Sequence, residues 1–211
     1  MIKDHDRILI LAPHTDDGEL GCGGTIAKYN SPNIEIYYFA FSTCRRSLPS
    51  GWKEDTLEKE LLAATNELGL KSENVHFFDY DVREFKNRRQ DILEDLIKLR
   101  QTLKPNIIFL PSSFDIHQDH QVIHEEGVRA FKNSTIYGYE MPWNNLSFST
   151  DCFVALSEQN LALKINAMQQ YKSQTHRSYV SEEFLRSLAR VRGVQCDTKY
   201  AEAFELIRLL M

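Results

Sequence analysis

Two short stretches of this 211-residue chain concentrate side chains that can move protons or hold a metal ion. The first, APHTDDGELGCGG at 12 to 24, carries His14, Asp16 and Asp17 directly after the apolar run RILIL. The second, PSSFDIHQDHQ at 111 to 121, carries Asp115, His117, Asp119 and His120 after the run NIIFL. His14 and Asp17 are three residues apart, as are His117 and His120. In a tight turn or at a helix start that spacing aims two side chains the same way. Histidine with carboxylate suits zinc, whose catalytic form takes three protein ligands and keeps one position for water. There are more candidates than three ligands require. The surplus is informative, because hydrolysis also needs a base for the water and a donor for the oxyanion.

The same residues have plainer readings. Asp16 or Asp17 can cap the helix that GELGCGGTIAKY begins, and Asp119 can cap one starting near His120. A lone His–Asp pair in a loop is more often a hydrogen bond than a metal site. Two such pairs, each behind a strand, favour a site. Other motifs fare worse. The glycines at 18, 21, 23 and 24 fit neither GxGxxG nor GxxxxGK[ST], which argues against a nucleotide cradle. His120 and His124 make HxxxH, but Gln121 replaces the Glu of HExxH, and His124 reads as a helix-surface residue. No GxSxG surrounds a serine.

These residues need elements to position them. Apolar, β-branched and aromatic runs at 7–12, 34–42, 75–80, 106–112, 136–141 and 152–157 read as strands. Helical periodicity covers 54–68, 89–103, 160–172 and 181–191, while the tail YAEAFELIRLL is ambiguous. The alternation predicts a single-domain α/β fold over 1–211, a Rossmann-like three-layer sandwich with a mainly parallel sheet. Ligands of such sheets bind beyond the carboxyl ends of the strands. If the strands at 7–12 and 106–112 are both central and parallel, the two motifs share one sheet edge.

Bulk properties narrow the partners. The net charge of −5 argues against a nucleic-acid backbone or an anionic membrane. No apolar run approaches the roughly 18 residues of a membrane span, and the N-terminus does not read as a signal peptide. Four dispersed cysteines, without a CxxC pair, read as reduced thiols, and the expected location is the cytoplasm.

PHTDDGELGCGG followed by HQDH resembles the LmbE-like, or PIG-L, family of zinc-dependent N-deacetylases. Glu60, Ala64, Leu68 and Gly69, then KINAMQQYKSQ at 164–174 and YAEAFE at 200–205, agree with it, so the resemblance spans nearly the whole chain. It implies hydrolysis of an N-acetyl group on an N-acetylglucosamine-type sugar or glycoconjugate, by a metal-bound water with Asp16 as base. It assigns His14, Asp17 and His120 as ligands of Zn2+, with Fe2+ as the other candidate ion. His117 becomes the protonated group facing the oxyanion and the leaving amine, with Asp119 orienting it or tuning its pKa.

Thr15 and Gln118 stand where the family has proline, and Leu57 where many members have a substrate-contacting arginine. Arg45, Arg46 or Arg83 can replace that arginine, though each also reads as a solvated charge. Trp143 and Asn144 suit a sugar-binding wall, or equally ordinary packing. Two rival readings are a two-metal phosphoesterase and a non-catalytic sugar-binding module. Oligomeric state is left open between monomer and homo-oligomer.

Overall fold

Residues Arg7–Ala12 (β1) are apolar on both faces, as a strand covered from two sides must be. In the computed structural model, which describes residues 2–210, Ile8, Ile10 and Ala12 face one core while Leu9 and Leu11 face another. The elements that follow are α1 (Asp17–Tyr29), β2 (Glu35–Ala40), α2 (Thr56–Glu67), β3 (Val75–Phe77), α3 (Arg89–Leu103), β4 (Ile107–Pro111) and α4 (Gln118–Ala130). Then come β5 (Thr135–Tyr139), β6 (Cys152–Leu156), α5 (Glu158–Met168), α6 (Glu182–Gln195) and β7 (Tyr200–Arg208).

The seven strands form one sheet in the order β3-β2-β1-β4-β5-β7-β6. The first five are mutually parallel; β7 is antiparallel to both β5 and β6. Side chains of α1, α2, α5 and α6 build the core on one face, and those of α3 and α4 the core on the other. The expected three-layer α/β architecture is present. The ambiguous tail is a strand, because it fills the gap between β5 and β6 and satisfies the backbone groups of both. The third strand is shorter than its apolar run, although the amides of Phe78 and Tyr80 still donate to Ala40 and Phe41 at 2.8 and 3.1 Å.

From β1 the chain passes to β2 on one side, whereas β4 lies on the other. This reversal makes β1 and β4 adjacent, in parallel register from Ile8↔Ile107 to Ile10↔Phe109, and opens a crevice beyond their carboxyl ends. The two histidine-carboxylate motifs follow these two strands.

Helix α1 lies close on the sheet under this crevice. At Gly18 a Cβ would come within 2.5 Å of the Tyr38 ring, so the turn from motif to helix requires glycine there. The helix is interrupted at Cys22, whose φ of −143° is not helical. The break frees backbone groups in a buried place. Lys164 donates to the Leu20 carbonyl at 2.7 Å, and Glu202 accepts from the amides of Gly24 and Thr25 at 2.9 and 2.7 Å. Lys164 and Glu202 pair with each other at 2.6 Å.

Candidate active site

Beyond β1 and β4, three atoms converge. His14 Nδ1 lies 3.1 Å from Asp17 Oδ2, His120 Nε2 lies 3.2 Å from the same oxygen, and the two ring nitrogens are 3.2 Å apart. Asp17 is fixed further by the His14 amide, which donates to Oδ2 at 2.8 Å. Each imidazole is held from behind. Asp115 Oδ2 lies 2.7 Å from His120 Nδ1, and Asp119 Oδ2 lies 3.0 Å from His14 Nε2. In the neutral rings, protons on those outer nitrogens leave the lone pairs of His14 Nδ1 and His120 Nε2 turned towards Asp17. Three acceptors crowded together fit a cation. Tetrahedral ligands about 2.0–2.1 Å from zinc stand roughly 3.3 Å from one another, close to this triangle. Carboxylates behind ligating histidines are the usual support of such a site.

A wider trio, His14, His117 and His120, places one ligand atom of each within 4.8 Å of the others. The triangle with Asp17 is tighter, and one nitrogen of His117 is taken: its Nδ1 accepts from the Asp119 amide at 3.2 Å. His117 is thus the N-cap of α4, and Asp119 lies inside the helix rather than capping it. The Asp119 carboxylate makes no hydrogen bond to the His117 ring, although its charge acts on that ring. It bonds His14 and accepts from the Arg83 amide at 2.7 Å. Asp115 has no assigned role in the sequence reading, yet it carries His120 and accepts from the His117 amide at 2.8 Å. Its position five residues before His120, in the same loop, was the available signal.

Asp16 holds the N-cap position of α1 but makes no side-chain capping bond. Burial, then the charge of Asp17, raises its pKa to about 6. Asp17 behaves oppositely. Burial alone would raise it, but the charges and hydrogen bonds of His120 and His14 hold it well below the carboxylate range. Burial would likewise lower His14 and His120. The Asp17 charge and the hydrogen bonds from Asp17 with Asp119 or Asp115 outweigh it, raising them to about 9 and about 10. The cluster therefore attracts positive charge. His117 goes the other way, to about 4, through burial and the neighbouring His120 and His14.

A cavity of about 320 Å³ lies over this cluster and is lined by His14, Asp16, Asp17, His117 and His120. Leu57, Arg83, Trp143, Asn144, Arg177 and Tyr179 also line it. The structure therefore brings together every expected site residue except Arg45, Arg46 and Asp119; Arg46 pairs with Asp81 at 2.9 Å in a neighbouring cleft. Asp119 sits behind His14. Arg45 faces a neighbouring cleft, paired to Glu58 at 3.0 Å and Asp79 at 3.5 Å, and is not placed to touch a ligand of this cavity. Trp143 stacks on Tyr179 with centroids 3.9 Å apart, and Asn144 Nδ2 approaches Asp115 Oδ2 at 3.5 Å. Arg177 and Tyr179 emerge only from the fold, because HRSYV carries no recognisable motif.

A Rossmann-like sheet with a buried His/Asp cluster at its switch point, a metal-site arrangement facing a cavity, joins here with a family match and relatives named deacetylases, and together they make this a hydrolytic enzyme of the N-deacetylase class. The sequence profile of the GlcNAc-PI de-N-acetylase (PIG-L) family matches residues 9–131, which include both motifs, and the chain belongs to that family. It is 27% identical over 172 residues to the uncharacterized deacetylase YaiS of Escherichia coli K12, covering 79% of this chain and 90% of the relative. It is 22% identical over 230 residues to the diacetylchitobiose deacetylase of Thermococcus kodakarensis, covering 97% and 84%. Among solved structures, the conserved protein TT1542 from Thermus thermophilus superposes with a TM-score of 0.79 at 23% identity, over 97% of this chain and 95% of that one. That likeness concerns the fold. Among the described residues, no helix is long and apolar enough to cross a membrane.

Proposed function

We propose that this protein is a zinc-dependent deacetylase that hydrolyses the N-acetyl group of an N-acetylglucosamine-type sugar or glycoconjugate. The observation that carries the reading is the triangle of His14, Asp17 and His120 with Asp16 beside it, uncapped and facing the same cavity. The names of the relatives support the substrate class.

His14, Asp17 and His120 would hold the ion. When bound, zinc supplies a Lewis acid that polarises the amide carbonyl and acidifies water. Asp16, with its pKa near 6, accepts the proton of the attacking water. The water oxygen bonds to the acetyl carbon as the carbonyl becomes an oxyanion. His117 serves here as a neutral donor rather than an imidazolium. With Nδ1 accepting the Asp119 amide, its proton sits on Nε2, free to meet the oxyanion. The C–N bond then breaks, and the proton held by Asp16 passes to the leaving nitrogen. The products are acetate and a free amine. Trp143 offers an indole face to pyranose C–H groups, its other face being covered by Tyr179.

The test is the metal content of protein purified without chelator, followed by free-amine release from a panel of N-acetylated sugars. About one zinc per chain, lost in His14→Ala, together with amine release from at least one sugar, is expected. Two metals per chain with phosphate release from a generic ester would replace this reading by the phosphoesterase.

A further inference from the structure

The arginines of this chain are nearly all satisfied. Of thirteen, eight pair with carboxylates and three donate to backbone carbonyls. The two left over line the same cavity. Arg83 makes no side-chain hydrogen bond or ion pair among the described residues. Arg177 forms no ion pair among the described residues: its Nε donates to Gln174 at 2.8 Å, its guanidinium lies 5.7 Å from the centre of the Tyr179 ring, and its charge acts on Asp16 across the cavity. Arg83 is also held where a side chain is strained, at φ 72°, by its amide bond to Asp119 and by Gln118, which donates to its carbonyl at 3.1 Å. Strain of this kind persists where the surroundings enforce it, most often at ligand sites. Asp16 and Asp17 share the cavity, but Asp17 is taken up by His14 and His120, and neither guanidinium is paired to a carboxylate, so both forks remain free for a ligand. Guanidinium forks match carboxylate and phosphate oxygens.

We infer that Arg83 and Arg177 read an anionic group, so that the substrate carries a carboxylate or phosphate next to its N-acetylated sugar; this rests on the deacetylase reading above. The pair would replace the family's arginine at the position of Leu57, which contributes only an apolar wall.

The experiment uses zinc-loaded full-length protein and three substrates: methyl N-acetylglucosaminide, N-acetylglucosamine 1-phosphate, and an N-acetylglucosaminide with a carboxymethyl aglycone. The readout is the ratio of kcat/KM for each anionic substrate to that for the neutral one. At least one ratio should exceed about tenfold, and salt should lower it. Arg83→Gly, which keeps the left-handed backbone, and Arg177→Gln should each reduce the ratio by roughly tenfold. Arg88→Ala removes an equal charge from an exposed ion pair elsewhere and controls for net charge. Which anion wins tells phosphate from carboxylate. Ratios near one in the wild type, or ratios unchanged in both arginine variants, overturn the inference; in the latter case the arginines only balance Asp16 and Asp17. Calorimetric binding of the same three ligands separates the two readings. If no sugar is deacetylated but the anionic ligands still bind preferentially through both arginines, the deacetylase reading fails and the anion site stands.

Discussion

At the scale of residues, the adjacent carboxylates Asp16 and Asp17 are driven apart by what each touches. Asp17 lies against two imidazoles, whose positive charge favours its own, and accepts from an amide. Asp16 has burial and a like charge for neighbours, which disfavours its own. One becomes a ligand for positive charge and the other a group that can take and return a proton near neutrality. A base must be ionised, and Asp16 is raised to about 6, so it is inactive below that pH and active above. kcat/KM should therefore fall about tenfold per pH unit below about 6. Asp16→Asn should lose roughly 10²–10⁴ in rate, keep its metal, and lose the acid limb. A pH–rate profile with elemental analysis checks all three; full activity in the variant would remove Asp16 from the mechanism. Asp115→Asn should behave differently. Losing the carboxylate behind His120 should weaken metal affinity by about 10–100-fold, with activity recovered at excess zinc. A competition titration with a chelator reads that affinity.

At the scale of elements, the first motif depends on α1, and α1 depends on a salt bridge far away in sequence. Lys164 of α5 and Glu202 of β7 occupy the break at Cys22, each buried and each bonded to backbone that the break has freed. Removing one partner strands the other charge in the core. Lys164→Met should cost about 3–5 kcal/mol, and adding Glu202→Gln should cost less than the sum of the two single changes. Urea denaturation of the four proteins measures the cycle; simple additivity would mean that the two charges do not act together. None of this was legible beforehand. GELGCGGTIAKY reads as one helix because the break is enforced by tertiary partners, not by a local signal. The tail was ambiguous for a related reason, since its two neighbouring strands, not its own periodicity, decide that YAEAFELIR is extended. The strands β1 and β4 were legible because continuous apolar runs bounded by turns leave little else for a sheet covered on both faces. The two motifs were legible because their histidines and carboxylates follow those runs directly. Of the two readings of Arg45 the structure shows the solvated charge, because an exposed arginine goes to whichever carboxylates lie nearest, and Glu58 and Asp79 are visible only in three dimensions.

At the scale of the whole molecule, the site joins loops that the chain visits in its two halves. The order β2-β1-β4-β5 sets them side by side at the switch point, so an ion on His14, Asp17 and His120 would tie the end of β1 to the start of α4. Such an ion binds the folded chain and not the dispersed motifs of the unfolded one. It therefore stabilises by mass action, about 4 kcal/mol when free zinc is 1,000 times its dissociation constant. For a chain of this size each kcal/mol moves the melting temperature by about 2–4 °C, so chelation should lower it by roughly 8–16 °C. The variants then divide by role. Asp16→Asn should keep the chelator-sensitive shift although it is inactive, whereas His120→Ala should melt at one temperature with or without zinc. Differential scanning calorimetry of the three proteins, with and without chelator, makes the comparison. A wild-type melting temperature that does not move once the ion is shown to be gone would mean that the two loops are held by the sheet alone. The triangle would then be a hydrogen-bonded cluster, and the hydrolytic mechanism would lose its metal.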